Sequence, residues 1–233
     1  KITFKKHVRI KVFDIEGFEY ANGSVRYYEG NGVQEKVSSF RGMVYTLEDG
    51  KVMKTKTTSK ELVNTVLAST FRTYTTQGNL NNHIGIPLTL LRVQKDAEIA
   101  VIEMGANHQQ EIAGYCTYTL PTHGIITNCG KAHLEGFGGV EGVKKGKGEL
   151  FDFLRANNGT VFLMEDFDYL VEMAQGIQDV IAYGKEQGQI QGEAIDQNGM
   201  LSVQFKKGID IASIQTHLVG NFNLPNVLAA VTI

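Results

Sequence analysis

The chain has 233 residues, 42% of them hydrophobic and 21% charged, a balance that supports a packed core and excludes a disordered tract. Its formal net charge is −2 with a pI near 6.3, so no basic field recommends a nucleic acid as partner. Two cysteines, Cys116 and Cys129, are too few for a disulfide scaffold and lack metal-ligand spacing, and no apolar run approaches the roughly 18 residues of a membrane span. The opening Lys1-Ile2-Thr3-Phe4 does not read as a signal peptide, and a cytoplasmic protein is expected.

Residues 1–50 alternate with period two in "ITFKKHVRIKVFDI", "SVRYYEG" and "GMVYTLEDG", which predicts a small β-rich segment of antiparallel strands. Residues 51–233 read differently. A helix is predicted over 58–70, capped by Thr58 and Ser59, with Leu62, Val63, Val66 and Leu67 on one face. The runs 98–105 and 123–130 are short, almost continuously apolar and end in glycine, as buried parallel strands do. Between them "HQQEIAGYCTYTL" supplies a covering helix. A helix over 140–155, the strand "GTVFLM", a helix around 168–174 and the strand "VIAYG" continue the alternation. The β pattern returns over 186–219, in "LSVQF" and "ASIQTHLVG", and "NFNLPNVLAAVTI" opens a helix in which the sequence stops; a further domain is expected beyond it. Such alternation predicts an α/β fold, a mostly parallel sheet flanked by helices, with ligands at the carboxyl ends of the strands.

Several stretches carry candidate chemistry. Lys56-Thr57-Thr58 has the lysine and hydroxyls of a phosphate-binding loop at a helix N-terminus, where the dipole favours an anion, but not the glycines such a loop needs. A capped helix with a solvated lysine is the competing reading. "GNLNNHIGIP" (78–87) packs Asn79, Asn81 and Asn82 into a turn, as caps or as neutral donors around a phosphate. "IEMGANH" (102–108) places Glu103 at the end of a buried strand, where a carboxylate is costly unless it meets a cation or donors; Mg²⁺, which prefers carboxylate and phosphate oxygens, suits it. "TNCGKAHLEGFGG" (127–139) puts His133 and Glu135 on the same sheet edge. Spacing alone singles out nothing at Lys147 in "KKGKGELF".

Together, "KTTSKE", "GNLNNHIGIPLTLL", "AVIEMGANHQQEI", "ITNCGKAHLEGFGGVEGV", "KGELF" and "GNFNLPNVLAA" resemble the Mur ligases in order and approximate spacing, from about residue 54 to the end. They look most like the branch that adds D-alanyl-D-alanine to UDP-N-acetylmuramoyl-tripeptide in peptidoglycan synthesis. The resemblance implies a central ATP-binding domain over 51–233 and ATP-dependent amide formation through an acyl phosphate. It implies ATP and Mg²⁺, one ion or two, as cofactors. By the family's pattern Lys56 holds the terminal phosphates, Thr57 and Glu103 bind one Mg²⁺, and His133 and a carbamylated Lys147 serve a second. Lys56, His133 and Lys147 are then the catalytic set. Thr58, Asn81, Asn82, Asn107 and His108 line the phosphate or substrate side, and Asn226 meets the adenine. A monomer is expected.

The sequence also departs from the family. "VMKT" replaces the glycine run before the lysine, so the stretch 53–62 reads as the surviving half of a nucleotide loop, genuine loss of the loop being the alternative. The family's UDP-binding domain is not recognisable in residues 1–50, its C-terminal domain is absent, and Phe222 stands where the family usually has His. This stretch alone is therefore expected to turn over poorly. The alternatives are a non-catalytic descendant that binds a nucleotide or partner, or another Mur or folylpolyglutamate-type ligase.

Overall fold

The computed structural model describes residues 29–30, 33–34, 44–48, 51–55, 58–130, 134–197 and 200–233. Four short strands come first: β1 (Glu29–Gly30) pairs antiparallel with β2 (Val33–Gln34), and β3 (Val44–Glu48) with β4 (Lys51–Thr55). The period-two pattern of "GMVYTLEDG" thus becomes a hairpin arm. Met53, Lys54 and Thr55 lie in β4, opposite Thr46, Tyr45 and Val44. The part of the 53–62 stretch before Lys56 is therefore strand, and only residues 56–58 separate it from the next helix.

That helix is α1 (Ser59–Ala68), followed by β5 (Thr73–Thr75), the short α2 (Gly85–Leu90) and β6 (Ile99–Val101). β5 and β6 pair in parallel, Thr75 opposite Val101. The run 98–105 forms a ladder only over Ile99–Val101; beyond it the Glu103 N–H turns to the Thr76 hydroxyl and the Gly105 N–H to the Asn81 carbonyl. Then come α3 (Glu111–Thr119), β7 (His123–Ile125), α4 (Leu134–Phe137), α5 (Val140–Ala156), β8 (Thr160–Met164), α6 (Asp168–Met173) and β9 (Asp179–Gly184). β10 (Ile190–Gln197), β11 (Met200–Lys207), β12 (Ser213–Gln215), a 3-10 turn over Asn221–Asn223 and α7 (Leu224–Thr232) complete the chain.

The main sheet has the order β12-β11-β10-β9-β8-β7. β7 to β10 are parallel neighbours, whereas β11 and β12 add on antiparallel. The β-rich stretch after residue 186 therefore extends the same sheet. Val161, Phe162, Leu163 and Met164 of β8 are all buried, so both faces of the strand are covered, as its unbroken apolar run requires. Phe151 and Leu154 of α5 and Val227 and Leu228 of α7 share that core. A smaller cluster of Val63, Leu67 and Ala230 joins α1 to α7, with Ile99 and Val101 of β6 packed against it. This contact packs α1 and α7 against β6, and Ser59 and Asn226 join the starts of the two helices.

Candidate active site

Because β5 and β6 are parallel, both deliver their carboxyl ends to one edge. Thr76, 1% exposed, follows β5; its N–H reaches the Val101 carbonyl at 3.1 Å, and its hydroxyl accepts the Glu103 N–H at 2.9 Å. These bonds stitch the two loops and fix the direction in which Glu103 leaves the strand. The Glu103 carboxylate, 36% exposed, is held on both oxygens: Asn81 Nδ2 donates to Oε1 at 2.9 Å, and Lys60 Nζ stands 3.1 Å from Oε2. Lys60, from the first turn of α1, also donates to the carbonyls of Thr76 (2.9 Å) and Gly78 (3.1 Å). The Asn81 carbonyl accepts the Gly105 N–H at 2.7 Å. A Cβ on Gly105 would come within 2.8 Å of the Asn81 amide, so this close approach needs glycine. Beside the cluster lies a pocket of about 300 Å³ whose walls include Lys60, Asn64, Thr75, Thr76 and Gln77, and the buried Thr75 hydroxyl has no partner.

The N-terminus of α1 faces the same region. Thr58 forms a capping box: its N–H and hydroxyl donate to the Glu61 carboxylate at 2.7 and 2.8 Å, and its oxygen accepts the Glu61 N–H at 3.4 Å. Ser59 donates its hydroxyl to Asn226 Oδ1 at 2.6 Å, and the Asn226 amide donates to Asn223 Oδ1 at 3.2 Å. Asn226, on α7, is thereby joined to the start of α1. Lys56, Thr57 and His133 lie outside the described residues.

The other expected site residues divide between local roles and a second group. Asn82 turns its side-chain oxygen to the Ile84 and Gly85 N–H groups at 3.1 and 2.9 Å, opening α2. Asn107 and His108 donate their N–H groups to Glu111 at 2.6 and 3.1 Å, and the His108 ring lies 3.7 Å from the same carboxylate. Glu149 of α5 accepts from the N–H groups of Gln110 and Ala113 and completes the start of α3. A Cβ on Gly136 of α4 would meet the Asn107 carbonyl at 2.4 Å, so the loops after β6 and β7 come into contact. Lys147 donates to the Asn128 carbonyl after β7. Burial pulls the pKa of Lys147 below its usual value, with Cys129 nearby working the other way. Its amine is a donor in this arrangement, and nothing in the geometry supports a carbamate on it.

Lys60, Thr76, Ser59, Glu111 and Glu149 are the residues that sequence reasoning missed. Of these, Ser59 was legible only as a helix cap; the readable signal beside it was Glu61, three residues after Thr58, the far side of a capping box. Among the described residues no three His, Cys, Asp or Glu side chains form a metal-binding group. Mg²⁺ commonly takes only one or two carboxylates, filling its shell with phosphate oxygens and water. The half-exposed Glu103, with acceptor capacity left on both oxygens, fits that habit. No described helix is long and apolar enough to cross a membrane.

Comparison with known proteins agrees with this architecture. The family model described as "Mur ligase middle domain" matches residues 54–233. The chain is 45% identical over 115 residues to the UDP-N-acetylmuramoyl-tripeptide–D-alanyl-D-alanine ligase of Escherichia coli, an alignment covering 49% of this chain and 25% of that protein. It is 34% identical over 180 residues to the ligase of the same name from Synechocystis, covering 76% of this chain and 38% of that protein. A crystal structure of MurF from Acinetobacter baumannii superposes with a TM-score of 0.68 at 29% identity, covering 75% of this chain and 39% of the other. The MurF ligase of Thermotoga maritima in complex with ADP superposes with a TM-score of 0.65 at 26% identity, covering 74% and 41%. The chain thus spans between a quarter and about two fifths of the relatives it matches. A sheet edge that joins α1, β5, β6 and α7, and a family match running through all of them, make the chain a member of the Mur ligase middle-domain family.

Proposed function

We propose that this chain is the nucleotide-handling domain of an ATP-dependent ligase that adds D-alanyl-D-alanine to UDP-N-acetylmuramoyl-tripeptide. The observation that supports it most is the Lys60–Glu103–Asn81 cluster, a carboxylate fixed at the carboxyl end of a parallel strand beside a helix N-terminus. In this reading Glu103 and Thr57 hold Mg²⁺, which offsets the repulsion between ATP and the substrate carboxylate. Lys56 meets the terminal phosphates, with Thr58 at the same helix end. His133 and Lys147 serve the loop after β7, Lys147 as an amine rather than a carbamate. Asn81 orients Glu103, Asn226 borders the adenine side, and Asn107 and His108 face substrate.

The chemistry asked of the site is charge management. An oxygen of the tripeptide carboxylate attacks the γ-phosphorus and ADP leaves, giving an acyl phosphate. The amine of D-alanyl-D-alanine then attacks the acyl carbon, phosphate departs, and the amine loses a proton. The first step brings two anions together and the second builds negative charge on the carbonyl oxygen and the departing phosphate, so fixed cations and oriented N–H groups lower both barriers.

A chimera tests the reading: residues 54–233 placed in the corresponding part of the Escherichia coli relative. Phosphate release that requires ATP, UDP-N-acetylmuramoyl-tripeptide and D-alanyl-D-alanine together is the expected result. A folded chimera that binds Mg·ADP but releases no phosphate would favour the non-catalytic alternative.

A further inference from the structure

We infer that Lys60 is the resident counter-cation of Glu103 and makes divalent-metal loading at this carboxylate depend on nucleotide; the inference rests on the reading of Glu103 as a metal ligand. The Lys60 ammonium has three donors, and three acceptors surround it: Glu103 Oε2 at 3.1 Å, the Thr76 carbonyl at 2.9 Å and the Gly78 carbonyl at 3.1 Å. Its side chain is 10% exposed. Swinging the amine out to water would take the donor from two loop carbonyls and the counter-charge from one Glu103 oxygen, so the charge is held where it is.

Two consequences follow for a cation approaching Glu103. The carboxylate keeps unused acceptor positions, since Asn81 donates to one oxygen and Lys60 stands 3.1 Å from the other as an ion-pair partner, so metal and lysine can share it. The incoming ion nevertheless meets a positive charge held 3.1 Å from an oxygen of its ligand. Metal alone binds weakly for that reason, and the phosphates of a nucleotide supply the negative charge that tips the balance. Lys60 is in this sense a positioning residue: it holds the carboxylate and the Thr76–Gly78 loop in place before metal and nucleotide arrive together.

The test is Mn²⁺ binding to the full chain, read from the free-ion electron paramagnetic resonance signal, with and without ADP. Lys60→Met should bind nucleotide-free Mn²⁺ about ten-fold tighter than the parent, the effect of removing one nearby charge under water-like screening. Lys60→Arg should stay near the parent, and adding Glu103→Gln to Lys60→Met should cancel the gain. Lys60→Gln, which retains a donor for the loop carbonyls, is measured in parallel and should show the same gain should the Met variant not fold. Unchanged or weaker Mn²⁺ binding on loss of the lysine charge, with Glu103→Gln still weakening Mn²⁺ binding in ADP, overturns the role of Lys60 and leaves Glu103 a ligand. If Glu103→Gln has no effect with ADP, the reading of Glu103 falls and the inference falls with it.

Discussion

Asn81 and Glu103, 22 positions apart, are joined by a 2.9 Å hydrogen bond, and the backbone of each is separately tied down, through Gly105 and Thr76. The side-chain bond can therefore be removed without unfastening either loop. Asn81→Ala should cost about 1 kcal/mol of stability, the net value of one such bond. The larger effect should fall on metal-dependent nucleotide binding, weakened about ten-fold as the carboxylate loses its orientation. Urea unfolding and calorimetry with Mg·ADP, run on the same preparations, separate the two effects.

Two glycines of this region should respond differently to alanine. At Gly85 the new methyl would lie 2.3 Å from backbone of Leu80, a clash that only a backbone shift relieves, so Gly85→Ala should lose about 1–3 kcal/mol of stability. At Gly105 the methyl meets the Asn81 amide, a side chain that can move away. Gly105→Ala should therefore spare most of the stability and weaken Mg·ADP binding, much as Asn81→Ala does. Thermal melts beside calorimetry decide whether the two variants separate in this way.

The Ser59–Asn226 bond ties α1 to α7. In a double-mutant cycle of Ser59→Ala and Asn226→Ala, the coupling energy should be about 1 kcal/mol. Asn226→Ala alone should be the costlier single change, because it also strips the donor from Asn223. A coupling indistinguishable from zero in urea titrations would mean that the contact does not hold the helices together.

Glu111 gives the fold an acid-sensitive point. Burial pushes its pKa up, but the N–H groups of Asn107 and His108, together with the His108 ring, outweigh burial and hold it below the usual carboxylate value. A depressed folded-state pKa contributes stability that is present above the unfolded value, about 4.3, and is lost as pH falls through the folded one. The melting temperature of Glu111→Gln should thus lie below the parent's at pH 7 and converge on it near pH 3. A gap that persists unchanged in acid would contradict this account.

Local patterns made most of the fold legible. The helix over 58–70, the strand "GTVFLM" and the helix from residue 140 appear as α1, β8 and α5 because period and capping are encoded by neighbours in sequence. β5 was missed: three half-buried residues, Thr73 to Thr75, carry no periodic signal, and their strand exists because β6 pairs with it. The run before Lys56 carries none of the glycines a phosphate loop needs, and Met53 to Thr55 pair with β3 as strand. The site was half legible. Glu103 and Asn81 stand out as polar residues at a strand end and in a turn. Lys60, one residue before Glu61, looks like any solvated helix lysine until Thr76 and Gly78 are brought beneath it. Expectations at Lys56, Thr57 and His133 fall outside the described residues.

The central claim is that Mg²⁺ and nucleotide meet at Glu103. Calorimetric titration of ADP into the parent chain and into Glu103→Gln, each with Mg²⁺ and with EDTA, tests it directly. The account predicts that Mg²⁺ strengthens ADP binding in the parent and that Glu103→Gln removes at least ten-fold of that gain, with the EDTA affinities alike. Equal Mg²⁺ enhancement in both proteins would contradict it.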